Sequence, residues 1–257
     1  MTKTSCYQTV LVRVLLFAAL CATTTFGYGQ QPESHPSETA TSDSFDIKSV
    51  SFLLPQALPK GKYSQTFSVL YLVLPRDWVT QVIKVPVFCY TGKYTLPYGL
   101  NLQGSLTTLV VSNRLNLGPF WNYSFNDKYH LALGYQVAFN YGFLNEFGFH
   151  TTLTGWEQQP SVTLGYSFKT MALIFRADLY WSNGFDLSDG KNVVSNTTSY
   201  INGYSFNVNL EQRLWKNRIL ATGFKLYNCK YNFTAWPAFP VNSYRYWFPE
   251  FQLTLEF

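Results

Sequence analysis

The chain has 257 residues, 13% charged and 19% aromatic, with a formal net charge of +5. That charged share is about half the ~25% of an ordinary soluble domain, and the balance is too mild for a nucleic-acid-binding surface. The 47% hydrophobic share is dispersed rather than gathered into runs of about 20 residues, which excludes a helical membrane protein.

The first 29 residues read as a secretory signal. Lys3 and Arg13 carry its positive charge, VLLFAALCA (Val14–Ala22) is its apolar core, and GYG (Gly27–Gly29) is a small-x-small cleavage site before Gln30. The core is too short to cross a bilayer as a helix. Cys21 raises a lipid-anchor alternative, but Leu20 stands before it where the anchoring signal needs a small residue. Cleavage would remove two of the 19 basic residues and none of the 14 acidic ones, leaving a net charge of +3. It would also remove Cys6 and Cys21. Export then permits a bridge between Cys89 and Cys229, but spacing alone does not decide between a bridge and two free thiols.

Residues 30–45 are polar and Pro/Ser-rich without periodicity, the composition of a disordered N-terminus. Residues 46–97 are mixed. FSVLYLVLP (Phe67–Pro75) is a continuous apolar run, RDWVTQVIK (Arg76–Lys84) places Trp78, Val79, Val82 and Ile83 at helical spacing, and VPVFCYTGKY (Val85–Tyr94) has strand character. This region predicts a short helical or irregular segment, with an extra hairpin if Phe67–Tyr94 joins the sheet that follows.

Residues 98–257 alternate with period two. In YHLALGYQVAFNYGF (Tyr129–Phe143) one face carries Tyr129, Leu131, Leu133, Tyr135, Val137, Phe139, Tyr141 and Phe143. The other carries His130, Ala132, Gly134, Gln136, Ala138, Asn140 and Gly142. SVTLGYSFK, LIFRADLYW and YSFNVNLEQRL repeat the pattern. YGLNLQGSLTTLV and RLNLGPFWNYSF do so more loosely, and RILATGFKLYNCKY (Arg218–Tyr231) is the most blurred. The fold class is therefore all-β: an antiparallel up-and-down barrel of about eight strands, or ten with the extra hairpin. Tight connections at Asn126–Lys128, Lys169–Thr170 and Trp215–Asn217 alternate with long ones near Leu144–Gln159, Gly184–Ser199 and Asn232–Arg245.

Two features turn the apolar face outward. The opposite face is rich in Gly, Ala, Ser, Asn and Thr and poor in Lys and Glu, which suits a cramped interior better than a solvated surface. Tyr129, Tyr141, Trp121, Trp181 and Trp247 lie near strand ends on the apolar face, as in the interfacial girdles of membrane barrels.

The last strand, FQLTLEF, adds a resemblance. Phe251, Leu253, Leu255 and Phe257 occupy alternate positions and end on Phe, which is similar to the C-terminal insertion signal of Gram-negative outer-membrane β-barrel proteins. Leu255 stands where many members have Tyr. The resemblance implies an outer-membrane location after export, outer-membrane lipid as surroundings and the barrel-assembly machinery as a partner. The cleavage site followed by Gln30, with the overall pattern, further resembles Bacteroidetes-type barrels.

The chemistry-bearing residues are few. Arg176 and Asp178 share a face, as do Glu211 and Arg213; Arg114, Glu250, Lys225 and Glu256 fall on the same predicted lumen side. Charges in a narrow barrel need partners or water. They form either a structural ion-pair network or a polar path for a small solute. Of the three histidines, His35 is in the disordered stretch, His130 faces the lumen near a short turn, and His150 sits in a long loop with Glu146 and Glu157. His150 with Asp186 or Asp189 is the one candidate catalytic set, and no catalytic spacing supports it over a solvated loop histidine. No metal-spaced cluster, phosphate loop or nucleophile elbow appears, so the expectation is a non-enzyme without metal or cofactor. The leading reading is a membrane barrel with a structural or small-solute, pore-like role. The first alternative is a binder of a surface ligand through the aromatic outer segments, which carry Phe147, Phe149, Trp156, Trp236, Phe239 and Tyr244; lesser ones are a barrel enzyme acting on lipid or peptide and a secreted soluble barrel that binds an apolar ligand inside.

Overall fold

The period-two segments form long strands because each alternates a bulky apolar side chain with a small or polar one. β5 (Tyr129–Leu144) turns Tyr129, Leu133, Tyr135, Val137, Tyr141 and Phe143 to the exposed side and buries His130, Ala132, Gln136, Ala138 and Asn140. The structure, a computed structural model, describes residues 47–49, 51–56, 58–75, 84–109, 111–145, 150–189, 192–197, 199–215, 218–234 and 244–256. The signal reading of 1–29, the disordered reading of 30–45, the helical spacing of 76–83 and the terminal Phe257 lie outside the described residues.

The remaining strands are β1 (Tyr63–Val73), β2 (Lys84–Thr95), β3 (Leu100–Thr108), β4 (Ser112–Ser124), β6 (Thr151–Ser167), β7 (Met171–Asp189), β8 (Asn192–Thr197), β9 (Tyr200–Trp215), β10 (Arg218–Cys229) and β11 (Tyr246–Glu256). Each pairs antiparallel with its neighbour, except that β7 pairs with both β9 and the short β8, which extends one end of β7 as a hairpin. β1 pairs with β11 from Thr66↔Glu256 to Leu72↔Glu250 and closes the sheet. The result is a ten-stranded up-and-down barrel without a free edge along its wall, the condition for strands to satisfy their backbone groups in lipid. β1 and β2 form the extra hairpin, so the wall begins at Tyr63, and ten strands replace the minimal eight.

The exposed and buried sets are inverted relative to a water-soluble protein. Leu115, Leu117, Leu133, Leu164, Phe175, Phe206, Phe251 and Leu253 are exposed, while Asn140, Glu157, Asp178, Ser205 and Glu211 are buried. Aromatic side chains gather at both rims of the outer face. At the short-turn rim, Tyr129 meets Tyr166 at 4.9 Å and Tyr166 meets Phe168 at 4.7 Å, edge to face. At the opposite rim, Phe139 packs on Trp156 at 4.8 Å and Tyr204 on Trp247 at 6.1 Å. Two such belts around an apolar band are the outer surface of a transmembrane barrel.

Two long connections of the sequence reading shorten. β6 starts at Thr151, so Glu157 and Gln159 belong to the wall instead of an outer loop, and β7 runs on to Asp189 before returning as β8. Cys89 and Cys229 are both free thiols. Register explains this: Cys89 lies level with Ser68 and Thr254, whereas Cys229 lies opposite Tyr246, eight residues further along β11.

Candidate functional site

The inner face of ten strands encloses more space than side chains alone fill, since barrel diameter grows with strand number. The chain fills part of it with its own backbone. Residues 47–49 and 51–56, which precede β1, lie in the short-turn end of the lumen. Ile47 N donates to Lys169 O at 3.3 Å beside the β6–β7 turn. Phe52 N donates to Glu256 Oε2 at 2.8 Å and Leu53 N to Glu211 Oε1 at 2.7 Å. Ser51 Oγ also donates to Glu211, and Lys93 Nζ donates to Phe52 O. Ile47 and Leu54 pack on Ala172, Ile174 and Ile219 of the inner wall. Two wall carboxylates thus satisfy the exposed N–H groups of an irregular segment, and one wall ammonium satisfies a carbonyl, so the backbone can be buried without a ladder partner.

At the opposite end the lumen narrows through apolar side chains. Leu72, Leu74, Cys229 and Phe248 form one cluster, and Leu153, Phe185 and Tyr231 another, with Phe185 and Tyr231 rings 4.3 Å apart. Residues 231–234, after β10, turn inward. Asn202 Nδ2 donates to Tyr231 O at 3.0 Å, Tyr231 N donates back to Asn202 Oδ1 at 2.9 Å, and Ser112 Oγ donates to Phe233 O.

Between these two fillings lies a polar cavity of about 220 Å³, floored by Phe52, Leu53, Leu54 and Pro55. An ion-pair network crosses it. Arg114 on β4 bonds Glu157 on β6 at 2.8 Å, and its other nitrogens reach Asn116 at 3.0 Å and Gln159 at 3.2 Å. Asp178 on β7 is shared by Arg176 at 2.7 Å and Lys225 on β10 at 3.2 Å. Arg176 also donates to Gln136 at 3.1 Å. Tyr180 lies among the cations, with the Arg114 guanidinium 5.6 Å and the Lys225 ammonium 5.8 Å from its ring centre. Glu250 accepts from Gln252 at 2.8 Å and more distantly from the Tyr227 hydroxyl at 3.4 Å.

The lumen residues of the sequence reading fall in three groups. Arg114, Arg176 and Glu250 line the cavity, Asp178 lies behind it on Arg176, and Glu211, on the wall below, holds the floor. Arg213 is exposed near the end of β9, opposite Ile219. Of the insertion-signal positions, Phe251 and Leu253 face outward and Leu255 is half-buried. His130 is buried at the short-turn end, its Nδ1 2.8 Å from Ser124 Oγ and its Nε2 3.4 Å from Ser167 Oγ. His150 is hydrogen-bonded to Asn145. Asp186 stands opposite Thr154, four residues along β6 from His150, or about 13 Å at ~3.3 Å per residue. The backbone thus keeps Asp186 apart from His150, whereas Asp189, the other carboxylate of the candidate set, stands opposite Thr151, the residue after the histidine.

Sequence reasoning missed Lys93 and the floor segment, and placed Glu157 in an outer loop instead of the wall. Glu157 had a signal: Leu153, Gly155, Glu157, Gln159, Ser161 and Thr163 are one continuous inward row. Pro160 obscured it, and the β6–β7 ladder does step from Gln158↔Trp181 to Ser161↔Asp178 around that residue.

No protein-family model and no curated protein matches the chain. Among solved structures, it is similar to an outer membrane channel from Pseudomonas putida F1, with 8% identity and a TM-score of 0.43, covering 86% of this chain and 100% of that one. It is similar to the translocator domain of autotransporter NalP from Neisseria meningitidis, with 13% identity and a TM-score of 0.41 over 76% of this chain and 87% of that one. Neisserial surface protein A shares 12% identity at a TM-score of 0.35 over 76% and 95% of the two chains. At such identities and scores nothing about role follows.

Proposed function

We propose that the protein is an outer-membrane barrel with a pore-like role for small solutes, closed from the short-turn side by its own residues 47–56. The observation that carries this is the charged cavity in the lumen, floored by a segment that hydrogen bonds hold against the wall. A barrel that served only as a membrane anchor would need neither a polar cavity nor buried ion pairs, whose desolvation costs several kcal/mol per ion. The apolar outer band and its two aromatic belts support the membrane setting. In this reading residues 1–29 direct export, and Phe251, Leu253, Leu255 and Phe257 present the last strand to the assembly machinery. The short-turn end, which holds the start of β1 and the end of β11, faces the periplasm. The cleavage site before Gln30 supports placement among Bacteroidetes-type barrels.

The test is conductance in a planar bilayer. The full chain should conduct rarely. A variant with residues 47–56 replaced by a Gly/Ser segment of equal length should show frequent stepwise conductance. If that variant still forms a heat-modifiable barrel and stays silent, the pore reading fails.

A further inference from the structure

The ion pairs of the cavity are asymmetric in what they present. In the Arg114–Glu157 pair the side chains are 11% and 1% exposed. In the Arg176–Asp178 pair they are 19% and 0%, and in Lys225–Asp178 12% and 0%. Each cation keeps an accessible edge while its carboxylate is shielded. Asp178 does not reach the cavity surface at all; the wall there shows Lys93, Arg114, Arg176 and Lys225 against Glu157 and Glu250. Of the ion-paired groups around the cavity, the accessible edges are those of the cations.

We propose that this cavity is an anion site, taking a small oxyanion or carboxylate solute against Arg114, Arg176 and Lys225. The proposal rests on the reading of the lumen as a solute chamber and names its substrate class. Geometry supports it independently of net charge. Arg176 uses Nε on Asp178 and Nη2 on Gln136, which leaves the remaining guanidinium N–H groups for a guest, and a planar donor fork suits a carboxylate or phosphate oxygen pair. Lys225 has two ammonium hydrogens beyond the one aimed at Asp178. Size narrows the class. About 220 Å³ is below the ~300–1,000 Å³ of drug-sized pockets, so the solute has few heavy atoms, and an oligosaccharide or peptide would not fit with the floor in place. Glu250, 4% exposed, is a wall carboxylate that opposes an anion and sets the sign of one test.

The probe is radiolabelled inorganic phosphate, with radiolabelled rubidium as the cation control. The full chain is refolded from urea into detergent in chloride-free buffer with each, so that the barrel closes around the ion, and bound label is read after gel filtration. Wild type should retain phosphate saturably and rubidium not at all. Lys225→Gln should bind about tenfold more weakly, the loss of one charge-assisted hydrogen bond, and Lys225→Arg should restore binding. Glu250→Gln should bind more tightly. Absence of saturable phosphate binding by wild type, retention of rubidium instead, or weaker binding by Glu250→Gln would each overturn the proposal, whether or not Lys225→Gln folds. The pore reading is judged separately: a floor-replaced barrel that conducts, alongside a wild type that retains no phosphate, keeps the pore and loses the anion site.

Discussion

Gly165 on β6 shows how one inward residue decides what the lumen can hold. A Cβ there would lie 2.6 Å from Pro55 Cδ and 2.7 Å from Leu54 Cδ1, so the floor segment can approach the wall because no side chain intervenes. Gly165→Val should displace the floor without breaking the strand, since valine favours strands. The expected outcome is more frequent channel openings with an unchanged heat shift on gels; an unchanged opening frequency would contradict the role given to residues 47–56. Asp178 is the opposite case, a residue the barrel depends on. It is the shared carboxylate of two cations, and Asp178→Asn leaves Arg176 and Lys225 facing each other without it. Breaking a buried pair in this way costs about 3–5 kcal/mol, so urea-induced unfolding in detergent should shift to clearly lower midpoint; a midpoint within error of wild type would mean that water, not Asp178, solvates those cations. The spacing of Arg176 and Asp178 places both on one face, but the partners of the other charges were not legible. Arg114 finds Glu157 across β5, and Lys225 finds Asp178 across β9, because tilt and register bring non-adjacent strands level, and neither is written in a local pattern.

At the scale of elements, legibility follows the contrast between faces. β5 is plain because its inner row is small or polar and its outer row large and apolar. β10 is blurred because Lys225, Tyr227 and Cys229 point inward while Thr222 points outward, so size and polarity no longer separate the two sides. β1 and β2 were hidden differently. Leu70, Leu72 and Val87 are buried inside near the long-connection end, which turns alternation into a continuous apolar run. The floor segment leaves no period at all. Its hydrogen bonds run to Glu211 and Glu256, 158 to 204 residues away, and an irregular backbone held by such distant partners has no local signature. Its removal is nonetheless measurable with a native reporter. Cys89 and the more deeply buried Cys229 both line the cavity. In a Cys229→Ser background, Cys89 should react slowly with a small water-soluble thiosulfonate in the intact protein, and much faster when residues 47–56 are replaced by a Gly/Ser segment. Equal rates, followed by mass spectrometry, would show that the floor does not control access from the short-turn side.

For the whole molecule, the decisive property is inversion: apolar and aromatic side chains cover the outside of a closed wall, and polar and charged ones fill the inside. Composition already pointed this way, because few charges and many aromatics suit a surface that meets lipid. Closure was the harder inference, since alternation is the same in a soluble barrel with its faces exchanged, and what distinguishes the two is which row is exposed. With ten strands the lumen has room for a backbone segment and a cavity, whereas eight strands would leave space for little beyond side chains. The inverted, closed wall is tested most directly by gel mobility of the protein from the outer-membrane fraction, with and without boiling. A barrel whose every wall strand is paired should stay folded in SDS and run faster unheated, then slow to the position of its unfolded mass after boiling. No shift, together with recovery in a detergent-free soluble fraction, would contradict the account and place the apolar row inside.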